Sequence, residues 1–328
     1  MNPGEAPWID PDSPLARIAS ARGHFGQLYQ YAAVLAGLKP VLDDWIRVEF
    51  VDAFRSICKD LGMAVAADVV FQPLRANRAA LAGADRLCTT FATGLRWVPG
   101  ARYAPDCQLH VFVGREVGSV MEALRLGWYP VAISSRVVEP LASTFLEFGH
   151  TLGYPDCCLH AFQEHNDWHR SNSYEAAKVN TRGSASRLTN PFGRHTAWSY
   201  IFHLPCSFDC PKTIGYASNL RTELLGTYPK YVEQIDAFGD LTFLVMNENR
   251  VYGLEGADPQ PTRVHYRGAH FLGGIHGQDV YGDALRGGDE LLVAGDLVVI
   301  SSRGKTLHVI ETRSDCLGPE SPMLIRFG

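Results

Sequence analysis

The sequence predicts an α+β protein: a small α/β unit, a helical cysteine-bearing middle region, and a C-terminal antiparallel β sheet or small barrel. Three observations carry this. Apolar residues recur at helical spacing from about Leu15 to Lys59 and again over 140–235. A strand–helix–strand alternation fills much of 60–135. After about residue 240 the period becomes two, and turn residues separate paired apolar runs. The segments are then an extended arm over 1–16, a helical and α/β region over 17–139, a helical region over 140–239 and an antiparallel β domain over 240–328.

Taken in order, prolines at 3, 7, 11 and 14 make the first segment read as an arm. Tyr29, Ala32, Ala33, Leu35 and Ala36 form a helical stripe, and Trp45, Val48, Phe54 and Ile57 continue it after the break at Pro40. Met63 to Phe71 reads as a buried strand stopped by Pro73, and 74–88 as an Ala- and Leu-rich helix. His110–Gly114, Arg115–Leu126 and Tyr129–Ser134 read as strand, helix and strand, with Gly127 capping the helix. In the tail, Leu241–Met246 and Val251–Leu254 flank one hairpin signal, and Leu297–Ser301 and Thr306–Ile310 flank another.

Composition narrows the function classes. Apolar residues make up 46% of the 328 and charged residues 20%, the balance of a folded chain. A chain this long buries enough surface to fold without a staple. Thirty basic against thirty-five acidic residues leave a net charge of −5, which argues against general nucleic-acid binding. No run of eighteen apolar residues points to a membrane span, and the N-terminus has no signal-peptide pattern. The expectation is a cytoplasmic protein, where disulfides rarely persist. Its eight cysteines then need another role.

Four of them cluster in two motifs. One is Gly153-Tyr-Pro-Asp-Cys157-Cys158-Leu-His160-Ala-Phe-Gln-Glu164-His165; the other is His203-Leu-Pro-Cys206-Ser-Phe-Asp-Cys210-Pro211. Asp156 follows a proline and precedes an apolar-periodic run, an N-cap signature, so Cys157 and Cys158 fall in a first helical turn. Pro211 suits a first helical position with Cys210 at the cap, and Ile214, Ala217, Ser218, Leu224 and Leu225 supply the stripe that follows. Unpaired N–H groups at helix starts favour thiolate, the form that binds metal. The four thiols are therefore candidate ligands of a [4Fe–4S] cluster, whose iron atoms about 2.7 Å apart let adjacent cysteines address different irons. Zinc is the alternative, although a vicinal pair is an awkward zinc knuckle. Cys58, Cys88, Cys107 and Cys316 stand alone and read as core residues.

Gly-Tyr-Pro-x-Cys-Cys followed by Phe162, with His203-x-Pro-Cys-Ser-x-x-Cys, resembles an uncharacterised family of archaeal and bacterial proteins classed as a domain of unknown function. The resemblance covers about 108–225 and carries over Cys157, Cys158, Cys206 and Cys210, with His203. The cysteine order is also similar to that of the small electron-transfer subunit shared by respiratory complex I and nickel–iron hydrogenases, although the surrounding sequence is not.

His203, His160 and Glu164 are the candidate acid–base groups beside the cysteines. His165 and His169 share a helical face, whereas Glu147 and His150 read as solvated. Arg194, His195, Trp198 and Tyr200 approach the second motif and read as core, and Lys212 as surface. Phosphate loops, serine-hydrolase elbows, zincin motifs and haem-attachment motifs are missing from the sequence. Two functions follow. One is an iron–sulfur enzyme doing oxidoreductase, lyase or sulfur-handling chemistry on a small-molecule substrate, with an electron-transfer protein as partner. The other is a zinc-stabilised binding protein without catalysis.

Overall fold

Ser13 starts the first helix: its hydroxyl accepts the Ala16 amide at 3.3 Å, and Pro14 takes the first helical position. This helix, α1 (Pro14–Arg22), ends at Gly23 with φ +74°. The computed structural model describes residues 7–73, 95–97, 108–127, 131–133, 136–138, 143–165, 173–247, 250–259, 262–272, 279–311 and 322–328. The arm expected over 1–16 is packed chain where it is described. Trp8 and Ile9 are buried, and the Trp8 ring stacks on Tyr231 with centroids 4.9 Å apart. The next helix, α2 (Leu28–Leu35), is apolar on nearly every side and buried accordingly.

Val41–Arg47, expected to continue the helical stripe, is instead strand β1. Leu42, Asp44 and Ile46 alternate onto one buried face. Asp44 hides the alternation in the sequence because it is a carboxylate in the core. It pairs with buried Arg22 at 2.6 Å and accepts the Tyr31 hydroxyl at 2.6 Å. Helix α3 (Val51–Asp60) then buries Val51, Phe54 and Cys58.

Strands β2 (Ala64–Pro73), β3 (Leu95–Trp97) and β4 (Gln108–Gly114), helix α4 (Val117–Leu126), and strands β5 (Val131–Ile133) and β6 (Arg136–Val138) complete the α/β unit. Its six-stranded sheet runs β1-β4-β2-β3-β5-β6. The only parallel pair among these described strands is β3 with β5, so β4-α4-β5 crosses over two intervening strands. The Gly127 amide caps α4 on Ala123, as its sequence position predicts. The helix expected over 74–88, and Cys88, Cys107 and Cys316, lie outside the described residues.

Helices α5 (Ser143–Thr151), α6 (Asp156–His165), α7 (Ser173–Asn180), α8 (Pro211–Thr227) and α9 (Pro229–Gly239) follow. The helix expected to run through 140–235 is interrupted over 181–210, where the only described regular element is one 3-10 turn, Arg187–Thr189. Gly183, Ser186, Asn190, Pro191 and Gly193 explain the break, since each favours turns over helix. One face of the six-stranded sheet packs on α1–α3, α8 and α9 through residues such as Leu42, Val111, Leu220 and Tyr231. The other face packs on α4 and α5 through Phe112, Val120, Phe148 and Leu152.

The tail holds β7 (Thr242–Asn247), β8 (Arg250–Glu255), β9 (Asp258–Pro259), β10 (Arg263–His265), β11 (Gly268–Phe271), helix α10 (Gly282–Gly287), β12 (Glu290–Ala294), β13 (Leu297–Ser302), β14 (Lys305–Glu311) and β15 (Met323–Arg326). Both expected hairpins form, β7 with β8 and β13 with β14. The strands make two antiparallel sheets, β14-β13-β12-β10-β9 and β11-β8-β7-β15, and no closed barrel among the described residues. Leu244, Tyr252 and Leu254 of one sheet meet Val264, Leu291 and Ile300 of the other. The opposite face of the four-stranded sheet carries Phe243 and Val245 against Phe192 and Phe208 of the irregular segment. None of the described helices is long and apolar enough to cross a membrane.

Candidate metal centre

The Gly153-Tyr154-Pro155 turn places the vicinal cysteines. Gly153 sits at φ +77°, its amide bonds to the His150 carbonyl, and the Tyr154 amide reaches back to Gly149. This is a Schellman cap, which a β-carbon at 153 would strain and press against Pro40. The Pro155 carbonyl then accepts the amides of Cys158 and Leu159 and so opens α6. Pro155, not Asp156, takes the cap position, and Asp156 is the first helical residue. Cys157 and Cys158 lie in the first turn, as their spacing predicts.

The second motif is anchored to the chain preceding it. The Asn180 side chain donates to the Cys206 carbonyl, the Phe208 amide donates to the Thr181 hydroxyl, and Asp209 accepts the amides of Arg182 and Gly183. Cys210 caps α8 and Pro211 is its first residue. The buried stripe of α8 is Thr213, Ala217, Leu220 and Leu224, so Ser218 and Leu225 face outward, contrary to the sequence expectation.

The two helix starts bring four thiols together. Sγ of Cys157 and Cys210 are 3.7 Å apart, those of Cys158 and Cys210 3.8 Å, and those of Cys157 and Cys158 4.0 Å. With Cys206 included, all four sulfurs lie within 4.8 Å of one another, close enough to hold a metal ion. The described cysteines are free thiols; Cys158 and Cys210 are buried, and Cys157 and Cys206 half-buried. Hydrogen bonds from Cys158, then Cys206, hold the Cys210 thiol far below its ordinary value, and the helix start at Thr213 adds to them. Bonds with Cys206 and Cys210, together with burial, push Cys158 up.

Sequence reasoning missed the shell around the sulfurs. Thr213 Oγ1 lies 3.3 Å from Cys158 Sγ and 3.0 Å from Nε2 of buried His203. A hydroxyl has one proton, so donation to a Cys158 thiolate requires His203 to donate from Nε2. Burial, then the charge of Lys39, lowers the His203 pKa to about 3, against the opposing pull of Cys210. His203 is therefore a neutral, positioned donor at ordinary pH. Tyr154 packs 5.4 Å from its ring. Buried Lys39 lies over Tyr154 at 4.4 Å and donates to the Leu152 carbonyl at 2.6 Å, tying the α/β unit to the turn that leads into α6. A threonine three residues after a cap cysteine was the available signal for Thr213; Lys39 carried none.

The other candidates are spread out. His160 and Glu164 are exposed, and His160 faces Asp156. The His165 side chain and His169 lie outside the described part of the structure. Arg194 and Tyr200 are buried, Trp198 packs against the main core, and His195 accepts the Arg194 Nε–H at 3.1 Å. Lys212 is exposed. A crevice beside Cys158, Phe162, Ala177, Leu204 and Cys206 holds about 10 Å³, room for about one water. No protein-family model, curated protein or solved structure matches this chain.

Proposed function

We propose that Cys157, Cys158, Cys206 and Cys210 hold a single tetrahedral zinc ion, which locks the starts of α6 and α8 together in a binding protein. The observation that carries this reading is the sulfur spacing. Zn–S bonds of about 2.3 Å in a tetrahedron put the sulfurs about 3.8 Å apart. Three of the pairs measure 3.7, 3.8 and 4.0 Å. A [4Fe–4S] cubane, the sequence's first expectation, needs cysteine sulfurs about 6.4 Å apart, beyond the 4.8 Å limit of this cluster. The vicinal pair, awkward for zinc on spacing alone, is accommodated because its two sulfurs diverge by only 4.0 Å.

Four thiolates fill four positions, the mark of a structural site, and the adjoining crevice is too small for a substrate. That favours a staple over the redox or Lewis-acid chemistry tied to a cluster. In the C-terminal sandwich, an open depression of about 510 Å³ lies between Val280, Tyr281, Asp283 and Ala284 on one side and His308–Glu311 on the other, with Val280 and Val309 exposed, which supports a binding role there. Free thiols fit a reducing, cytoplasmic setting. Membership of the uncharacterised family with Gly-Tyr-Pro-x-Cys-Cys and His-x-Pro-Cys-Ser-x-x-Cys motifs is part of the proposal.

The test is metal and acid-labile sulfide analysis of anaerobically prepared protein and of single Cys→Ala variants at 157, 158, 206 and 210. About one zinc per chain without sulfide, lowered in every variant, is expected. Iron with stoichiometric sulfide, or metal retained in all four variants, overturns the reading.

A further inference from the structure

The outer side of the same helix start carries three groups that the thiolate centre does not use. Asp156, the first residue of α6, places one oxygen, Oδ1, 3.5 Å from Nε2 of His150 and 3.4 Å from Nε2 of His160. The contacts come from two directions. His160 is one turn further along α6, whereas His150 is in the last turn of α5 and is folded back by the left-handed Gly153. All three side chains are about half exposed, at 49%, 55% and 54% for His150, Asp156 and His160.

Both separations exceed an ordinary N–H···O hydrogen bond of about 2.9–3.0 Å. They are close to the length, about 3.4 Å, of the two nitrogen–oxygen edges that meet at a shared carboxylate in a coordination tetrahedron with ligands about 2.1 Å from its centre. Glu147 and Glu164, each about one helical turn from these histidines and exposed, add negative charge around the three groups. We propose that His150, Asp156 and His160 form a second site, distinct from the thiolates, for a divalent first-row transition cation. Half-exposed imidazoles swing readily, so the ion draws both nitrogens in toward the shared carboxylate. Two imidazoles and one carboxylate suit zinc or ferrous iron and leave the solvent side open for water or an anionic ligand. The residues are separate from the four cysteines, so this site stands or falls independently of the zinc staple.

The test uses the full chain, first loaded with a single equivalent of zinc, which the four thiolates take in preference to imidazole and carboxylate, then titrated with Co²⁺ under equilibrium dialysis and visible spectroscopy. One further equivalent of Co²⁺ is expected, with weak d–d bands and no sulfur-to-metal charge transfer. His150→Gln, His160→Gln and Asp156→Asn should each weaken that equivalent at least ~10-fold without changing zinc content. No second equivalent, Co²⁺ binding that survives in the His150→Gln/His160→Gln double variant, or Co²⁺ appearing only with sulfur charge-transfer bands overturns the proposal. Loss of zinc in the cysteine variants leaves the Co²⁺ equivalent in place if the inference is right.

Discussion

Replacing Lys39 with methionine probes the clamp between the α/β unit and the cysteine-bearing turn. Lys39 is 4% exposed, and burial pushes its pKa from 10.5 down to about 7, with Asp43 opposing the fall. Below pH 7 the amine is protonated in folded and unfolded chains alike, and the folded state carries the whole cost of a buried charge. Between pH 7 and 10.5 the unfolded chain binds more protons, so stability rises with pH; above 10.5 the cost is gone. At 1.36 kcal/mol per pH unit the interval is worth up to about 5 kcal/mol. The Tyr154 ring under the ammonium offsets about 1–2 kcal/mol of this, leaving about 3–4. Lys39→Met removes the slope and keeps the aliphatic volume, at the loss of one hydrogen bond to Leu152, worth about 1 kcal/mol. The assay is urea unfolding of both proteins from pH 6.5 to 10, with matched metal content. The variant's stability relative to wild type should be greatest near pH 6.5–7 and should fall by about 2–3 kcal/mol by pH 10, where the unfolded-state amine is still mostly protonated. Taking the difference cancels the titration of groups that do not sense Lys39; Asp43 and His203 are the ones that do. A difference that stays flat within about 0.5 kcal/mol refutes the account of Lys39 as a buried, pKa-depressed amine.

The remaining predictions concern the packing that holds the centre. Thr213→Val strands the buried His203 and Cys158 atoms that share its hydroxyl; it should cost about 1–3 kcal/mol in urea unfolding and weaken metal binding ~10–100-fold in chelator competition. Gly149→Ala drives a β-carbon into the Leu159 side chain between α5 and α6; a loss of about 1–3 kcal/mol is expected, partly restored by adding Leu159→Ala, and simple additivity of the two would speak against the clash. Asp44→Ala leaves Arg22 charged and buried and should cost about 3–5 kcal/mol, whereas Arg17→Ala, at the exposed Asp60 pair, should stay within about 1 kcal/mol.

Local chemistry was legible in the sequence where one element determines it. Cys210-Pro211 reads as a cap and a first helical residue and is that. Gly127, the two tail hairpins and the first-turn position of Cys157 and Cys158 follow from turn and cap rules acting over a few residues. What was hidden depends on partners far away in the chain. Asp44 obscured β1 because its charge is satisfied by Arg22 and Tyr31, which the local pattern does not contain. The arm was misread because its prolines are conspicuous, whereas the sockets for Trp8 are built by Phe25, Trp198 and Tyr231. The ion proposed for the four thiols followed the same course. Spacing along the chain argued for a cubane, and only the separations between the sulfurs of α6 and those just before α8 favour one ion.

The most direct measurement is X-ray absorption at the metal edge of the intact protein. One ion held by four thiolates predicts a single shell of four sulfurs at about 2.3 Å and no metal neighbour. A metal–metal vector near 2.7 Å, the signature of a cluster, or a shell containing fewer than four sulfurs would contradict it.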